Sequence, residues 1–156
     1  MKDVRKPLSM TVITSKHDEK ARNKAIITGA VNNIRAKVFL DSGADINIVD
    51  RNFALNVLGL SIKDVAKSKS SIKCANGTTM QVFGECSLQV TIGNVSKRLI
   101  FIVVTNVFPS VILGLVALKE LKIVICPEQS CIFADNLFVP FLSKVVTISK
   151  NAKELC

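Results

Sequence analysis

Residues 38–49 are Val38-Phe39-Leu40-Asp41-Ser42-Gly43-Ala44-Asp45-Ile46-Asn47-Ile48-Val49. The apolar run Val38–Leu40 predicts a buried strand, and the alternation around Asn47 predicts another. Between them Asp41 begins a tight turn of small residues, which leave the backbone accessible. Because burial penalises the charged form of a carboxyl group, an acid at the end of a buried strand is a candidate for acid–base chemistry.

A simpler interpretation of this stretch is a β-turn. In it, the Asp41 side chain accepts a hydrogen bond from its own backbone. An isolated Asp-Ser-Gly favours that interpretation, so a functional assignment depends on what the rest of the chain supplies.

Length and composition predict one mainly β domain with tails. The chain has 156 residues, 49% of them apolar and 21% charged, which is ample for a core. Val and Ile dominate the apolar set, while Gly and Asn turns are regularly spaced. We divide the chain into a polar N-terminal tail (1–24), a folded domain (25–135) and a C-terminal extension (136–156).

The net charge of +9 raises a nucleic-acid-binding alternative. Lys and Arg are spread singly, however, with denser sets in residues 1–24, near 63–73 and near the C terminus. The sequence contains no basic helix and no interleaved aromatic residues for base stacking. We therefore predict general attraction to polyanions and no specific nucleic-acid partner.

Cysteine and histidine usage predicts neither a metal nor a cofactor. The five Cys include no Cys-x-x-Cys pair, and the single histidine, His17, lies in the polar tail. We expect the cysteines to be small core residues in an intracellular setting, the cytoplasm or a virus-like particle. The apolar run Leu99–Val104 is too short to span a membrane.

The first half of the chain predicts two hairpins and a short helix. Residues 25–31 and 34–40 pair around Asn32-Asn33, and the Asn-Gly at residues 76–77 is a strong signal for a second hairpin over residues 71–83. Asp50 caps a helix that Gly59 ends.

The second half predicts further strands around one helix. Residues 85–91 and 97–104 form a meander after a bend at Gly84, and residues 108–114 form an apolar strand leading into a helix at 115–121. Short strands follow at 122–126 and 130–133, and residues 137–148 either add a strand or begin a neighbouring segment.

Three motifs, in this order, resemble those of retropepsins, the single-domain aspartic proteases of retroviruses and long-terminal-repeat retrotransposons. They are Leu40-Asp41-Ser42-Gly43-Ala44, Ala75-Asn76-Gly77-Thr78 followed by Gly84, and Pro109-Ser110-Val111-Ile112-Leu113-Gly114. The resemblance covers residues 25–134. It implies a mainly β, closed barrel-like fold with a flap hairpin over the site, one or two short helices and a homodimeric assembly.

The resemblance also implies residue roles. Asp41 is the catalytic carboxylate, and Ser42 joins the two active-site turns of a dimer. Gly114 packs behind Asp41. The remaining matched positions meet the substrate: Gly43, Ala44 and Asp45 along its backbone, Asn76, Gly77 and Thr78 at the flap tip, and Ser110 and Ile112 in side-chain pockets.

One departure from the viral pattern follows Gly114. Many viral members place there an Arg that pairs with the acid at the position of Asp45, whereas this chain has Leu115. The departure favours a retrotransposon-like or host-domesticated member and leaves the partner of Asp45 open.

The chemistry requires two such chains. Peptide hydrolysis of this type uses two facing carboxylates that share a proton, and the chain contains one Asp-Ser-Gly motif. We therefore predict a two-fold dimer that hydrolyses an extended polypeptide, such as a polyprotein, with apolar side chains around the cleaved bond. The remaining alternative is a catalytically silent retropepsin fold that serves dimerisation or peptide binding.

Overall fold

The computed structural model describes residues 9–10, 25–67, 71–74, 77 and 79–142. The described strands are β1 (Ser9–Met10), β2 (Ile26–Val31), β3 (Ile34–Leu40), β4 (Ile48–Asp50), β5 (Ile72–Cys74), β6 (Thr79–Met80), β7 (Val82–Ile92), β8 (Val95–Val104), β9 (Val111–Leu113), β10 (Ile123–Cys126), β11 (Cys131–Ala134) and β12 (Leu137–Pro140). The helical segments are the α-helix α1 (Leu115–Glu120), a π-helical turn (Phe53–Val57) and 3-10 turns (Ile62–Asp64 and Pro127–Gln129).

Six strands close into a barrel in the order β2-β3-β9-β4-β8-β7. The short strand β9 lies between β3 and β4, parallel to β3 and antiparallel to β4. Because Leu40 pairs with Leu113, the residues that follow these two strands emerge side by side. The expected mainly β, closed-barrel fold with a few short helices is confirmed.

Local turn signals in the sequence place the first barrel strands correctly. Asn32 and Asn33 adopt φ values of 50° and 67°, as a tight hairpin between β2 and β3 requires. After β4, an Asp50 carboxylate oxygen accepts the Phe53 N–H at 3.2 Å and caps the helical segment. Gly59 ends that segment with φ of 75°.

Buried side chains form two clusters. The larger fills the barrel, where the alternation of β7 turns Leu88, Val90 and Ile92 inward. Cys86 belongs to it, and burial, followed by the charge of Asp64, raises the pKa of its thiol to about 11. The smaller cluster contains Ala44, Ile48, Ile72, Ile102, Val104, Val107 and Ile112. It joins the Asp41 turn to the second hairpin.

The strands β10, β11 and β12 form a separate antiparallel sheet after α1. Cys126 of β10 lies opposite Cys131 of β11 in the strand register, and both are free thiols. Burial raises the pKa of the Cys131 thiol. Phe141, just beyond β12, is fully buried in the larger cluster. The packed residues thus include part of the segment assigned to a C-terminal extension, whereas the division at residue 24 stays a prediction.

Along the described stretches, no helix is both long and apolar enough to cross a membrane.

Candidate active site

The Asp41 turn begins where β3 ends. The Asp41 backbone N–H donates to the Leu113 carbonyl at 2.9 Å, and the Asp41 carbonyl accepts the Ala44 N–H at 3.1 Å. The Gly43 N–H donates to Asp41 Oδ1 at 2.9 Å. The side-chain hydrogen bond of the simpler β-turn interpretation is therefore present, and it fixes the direction of a partly buried carboxylate beside the exposed Ser42 and Gly43.

Position 114 requires a glycine because its backbone lies too close to this turn to leave room for a side chain. A Cβ atom at position 114 would lie 2.6 Å from the Ile46 carbonyl oxygen and 2.8 Å from that of Ala44. The next residue, Leu115, donates its N–H to the Ala44 carbonyl at 2.9 Å. As the resemblance implied, Gly114 packs against the turn behind Asp41.

Asn47 is a structural determinant that the sequence analysis missed. Its Oδ1 accepts the Gly114 N–H at 2.9 Å, and its Nδ2 donates to the Ile100 carbonyl at 3.0 Å. One half-buried amide therefore connects the turn to the start of α1 and to β8. The available signal was the polar side chain between Ile46 and Ile48, which we used only as evidence of alternation.

These contacts show how the turn is held although Leu115 stands where many viral members have an Arg. Asp45 is exposed, and Leu115 is 36% exposed. Main-chain hydrogen bonds and the Asn47 amide connect the turn to α1. The predicted contact of Asp45 with substrate stays a prediction.

The second hairpin packs beside the Asp41 turn. Ile72 of β5 pairs with Met80 of β6, and Gly77 between them is exposed, with φ of 94°. The fully buried Ile72 belongs to the same cluster as Ala44 and Ile112, and Met80 packs against that cluster. The predicted flap-tip residues Asn76 and Thr78 lie outside the described residues.

Ala44, predicted to meet the substrate backbone, and Ser110 and Ile112, predicted to line side-chain pockets, differ in burial. Ala44 is fully buried and Ile112 is 2% exposed, so both contribute to the packing beneath the hairpin in this single chain. Ser110 is half-buried, and its carbonyl accepts the Asp50 N–H at 2.8 Å. The structure brings Ala44 and Ile112 together, while their roles in binding substrate stay predictions.

The base of the hairpin makes a contact with the segment after β4. The Arg51 guanidinium lies 4.5 Å from the ring centroid of Phe83, where the pairing of β7 with β8 is irregular. Two open cavities of about 280 and 390 Å³ share Arg51 and Thr105 in their linings. Neither of these two cavities is lined by the Asp41 turn.

No cluster of three His, Cys, Asp or Glu side chains suited to a metal ion occurs in the parts of the chain that are described. What the arrangement offers chemically is a carboxylate oriented by a backbone amide, on a turn braced from behind by Gly114 and Asn47.

Comparison with known proteins identifies the family. A family model described as "gag-polyprotein putative aspartyl protease" matches residues 27–120, more than half of the chain. The protein therefore belongs to the retropepsin-like aspartic protease family. No curated protein sequence matches it.

Solved structures of the same fold agree with this assignment. The chain resembles the retroviral protease-like domain of Ddi1 from Leishmania major, with a TM-score of 0.59 and 24% identity over 76% of this chain and 89% of that one. It also resembles the EIAV protease complexed with the inhibitor HBY-793, with a TM-score of 0.53 and 16% identity over 73% and 99%. For a retropepsin-like aspartic protease from Rickettsia conorii the TM-score is 0.51, with 23% identity over 65% and 75%. At these identities the structural likeness supports the fold.

Proposed function

We propose that this protein is an aspartic endopeptidase that hydrolyses peptide bonds in an extended polypeptide. The observation that carries the proposal is the Asp41 carboxylate, oriented by the Gly43 N–H at 2.9 Å on a braced turn of a retropepsin-like barrel. Retention of Asp41, Ser42 and Gly43 favours catalysis over the silent-module alternative.

The reaction uses Asp41 from each of two subunits. Two carboxylates about 3 Å apart cannot both ionise, so the pair shares one proton. The ionised member takes a proton from a water whose oxygen attacks the scissile carbonyl carbon, while the protonated member donates to the carbonyl oxygen. The proton taken from the water then passes to the departing nitrogen as the C–N bond breaks. Because the chain has one such motif, the site is complete only in a two-fold dimer, in which Ser42 joins the two turns.

The substrate lies between the Asp41 turn and the second hairpin in the proposed complex. Ala44 and Asp45 contact its backbone from below, and Asn76, Gly77 and Thr78 cover it from above. Extended peptides bind sheet edges through main-chain hydrogen bonds, while pockets select side chains. Ser110 and Ile112 belong to such pockets, and the apolar cluster beneath the hairpin supports a preference for apolar residues at the cleaved bond. Polyprotein processing is the biological role that suits this activity.

The test is cleavage of a mixed peptide library at acidic to neutral pH. Wild-type chain is compared with Asp41→Asn, which keeps the side-chain shape but removes the ionisable carboxyl group. We expect cleavage by the wild type alone, at a rate that rises faster than linearly with protein concentration because the active species is a dimer. Folded, dimeric wild type that cleaves nothing would instead support the silent-module alternative.

Charge distribution argues against proposing a nucleic-acid-binding function. The described residues contain ten Lys and Arg and eight Asp and Glu, a net charge of +2, so most of the +9 lies outside them. Retention on a polyanion column that falls steeply with salt would revive that alternative.

A further inference from the structure

The second hairpin carries a third strand that comes from far upstream in the chain. The strand β1 pairs in parallel with β5, with Ser9 beside Lys73 and Met10 beside Cys74. The strand β6 lies on the other side of β5, and the resulting three-stranded sheet is separate from the barrel. Residues 9–10 thus occupy an edge of β5 that the hairpin alone would leave open.

An open sheet edge presents unpaired N–H and C=O groups, and any extended chain can pair with them. The β5 edge is near the proposed site, because the buried Ile72 packs in one cluster with Ala44 and Ile112. A peptide that pairs with this edge of β5 requires the same donors and acceptors as the upstream segment of the same chain.

We propose that β1 is an intramolecular competitor of the substrate. In this proposal, which rests on the proposed function, residues 9–10 pair with the β5 edge and must leave before an extended peptide binds there. The occupant is a segment of this chain, and its action is to lower the apparent affinity for peptides.

The composition of the segment suits this role. Residues 7–15 contain no charged side chain, and apolar and hydroxyl residues alternate from Leu8 to Val12. Such a pattern is typical of a strand, and it resembles the apolar peptides that the site is expected to accept. Lys6 and Lys16 flank the uncharged run.

Proline substitutions in the full chain test the pairing with a built-in control. Proline removes a backbone N–H, and successive N–H groups of a strand point to opposite edges. One of the variants Ser9→Pro and Met10→Pro therefore loses a donor that faces β5, while the other loses one that faces away. In an Asp41→Asn background, which prevents self-digestion, we expect faster hydrogen–deuterium exchange of residues 72–74 in one of the two variants only.

Addition of a synthetic peptide with the sequence of residues 6–15 completes the binding test. It should restore protection of residues 72–74 in the sensitive proline variant and protect the parent chain less, since that edge is already occupied. The inference is overturned if neither proline variant changes exchange at 72–74, or if the peptide protects both chains equally.

Kinetics with Asp41 intact test the competition. Apparent affinity scales with the fraction of molecules whose site is open, so release of an occupant present in nine molecules of ten lowers KM about tenfold. We expect this decrease for the sensitive proline variant, with unchanged kcat, and competitive inhibition by the 6–15 peptide. Altered exchange with unchanged KM overturns the inference. If no variant cleaves any peptide, the proposed function fails, and the exchange experiment alone decides whether β1 and an added strand compete.

Discussion

The Asp41 turn and the β5–β6 hairpin are neighbours that are held in different ways. The turn is fixed by directional contacts: main-chain hydrogen bonds to Leu113 and from Leu115, the amide of Asn47, and the backbone approach at Gly114. The hairpin has strands of three and two residues, and it contacts the turn through apolar packing of Ile72 and Met80 with the cluster that contains Ala44.

The difference matches two mechanical requirements of the proposed function. A reacting carboxylate must be held to within a fraction of an ångström, and directional hydrogen bonds provide that restraint. A cover that admits and releases peptide must move, and apolar contacts permit movement because they are non-directional. The following substitutions test this contrast, from the largest expected effect to the smallest.

Gly114→Ala should be the most damaging change. Its Cβ would meet backbone oxygens at 2.6 and 2.8 Å, and backbone cannot move aside as a flexible side chain can. We expect a loss of about 3 kcal/mol in the free energy of unfolding, since overpacking costs about 1–3 kcal/mol or more. Peptide cleavage should fall about 100-fold because the Asp41 turn is displaced. Urea denaturation and cleavage assays measure the two effects.

Gly59→Ala is the matched control for this variant. A Cβ at position 59 meets nothing within 4 Å, so the cost is limited to the left-handed backbone at φ of 75°, about 1–2 kcal/mol. Cleavage by folded Gly59→Ala should match the wild type. Equal kinetic losses in both variants would contradict a special role for the contact behind Asp41.

Asn47→Ala removes the side-chain connection between the turn and its supports. The Gly114 N–H and the Ile100 carbonyl both lose a partner, which we expect to cost about 2 kcal/mol of stability, and kcat should fall with little change in KM. In Asn47→Asp the carboxylate still accepts from Gly114 but cannot donate to Ile100. This variant should therefore recover part of kcat while its stability stays low. If kcat does not recover in Asn47→Asp, that result would argue against a positioning role.

Ile72→Val tests the attachment of the hairpin. Removing one methyl group from a buried Ile costs about 0.5–1.5 kcal/mol, and Ile27→Val in the barrel cluster should cost the same, because both side chains are fully buried. KM should change in Ile72→Val alone, since only that residue belongs to the hairpin. Equal KM values in the two variants would show that the packing of Ile72 does not affect substrate binding.

Arg51→Gln should give the smallest effect. It removes a cation–π contact at an exposed site, worth about 0.5–1 kcal/mol. A double-mutant cycle with Phe83→Leu isolates the interaction: the two losses should be non-additive by about that amount if the ring and guanidinium interact. Strict additivity would show that the contact between Arg51 and Phe83 does not stabilise the base of the hairpin.

The sequence predicted features that local signals specify. The Asn32-Asn33 turn, the alternating β7 and the strand-to-helix passage through Gly114 each depend on a few adjacent residues, and each is confirmed. The Asp41 turn was predicted for the same reason, including its side-chain hydrogen bond to the backbone.

Apart from the packing of Gly114 behind Asp41, which the family resemblance implied, contacts between distant residues were not predicted. Asn47 and Gly114 are 67 positions apart, and the pairing of β1 with β5 joins Ser9 to Lys73. No local pattern specifies such partners, because they meet only after the barrel has closed. The burial of Phe141 in the larger cluster was not specified either, because the sequence left residues 137–148 open between a further strand and a neighbouring segment.

The position of β9 between β3 and β4 also affects when the candidate site can form. The segments on both sides of the Asp41 turn pair with this one strand, β3 in parallel and β4 in antiparallel, although β9 begins only at Val111. Such non-local pairing forms slowly, because a long loop must close before any contact stabilises it. During synthesis, the turn therefore acquires its supports only after most of the barrel has been made. A ribosome-bound fragment that ends before Val111 lacks the strand that supports the Asp41 turn on both sides, so the proposed activity requires synthesis beyond that residue.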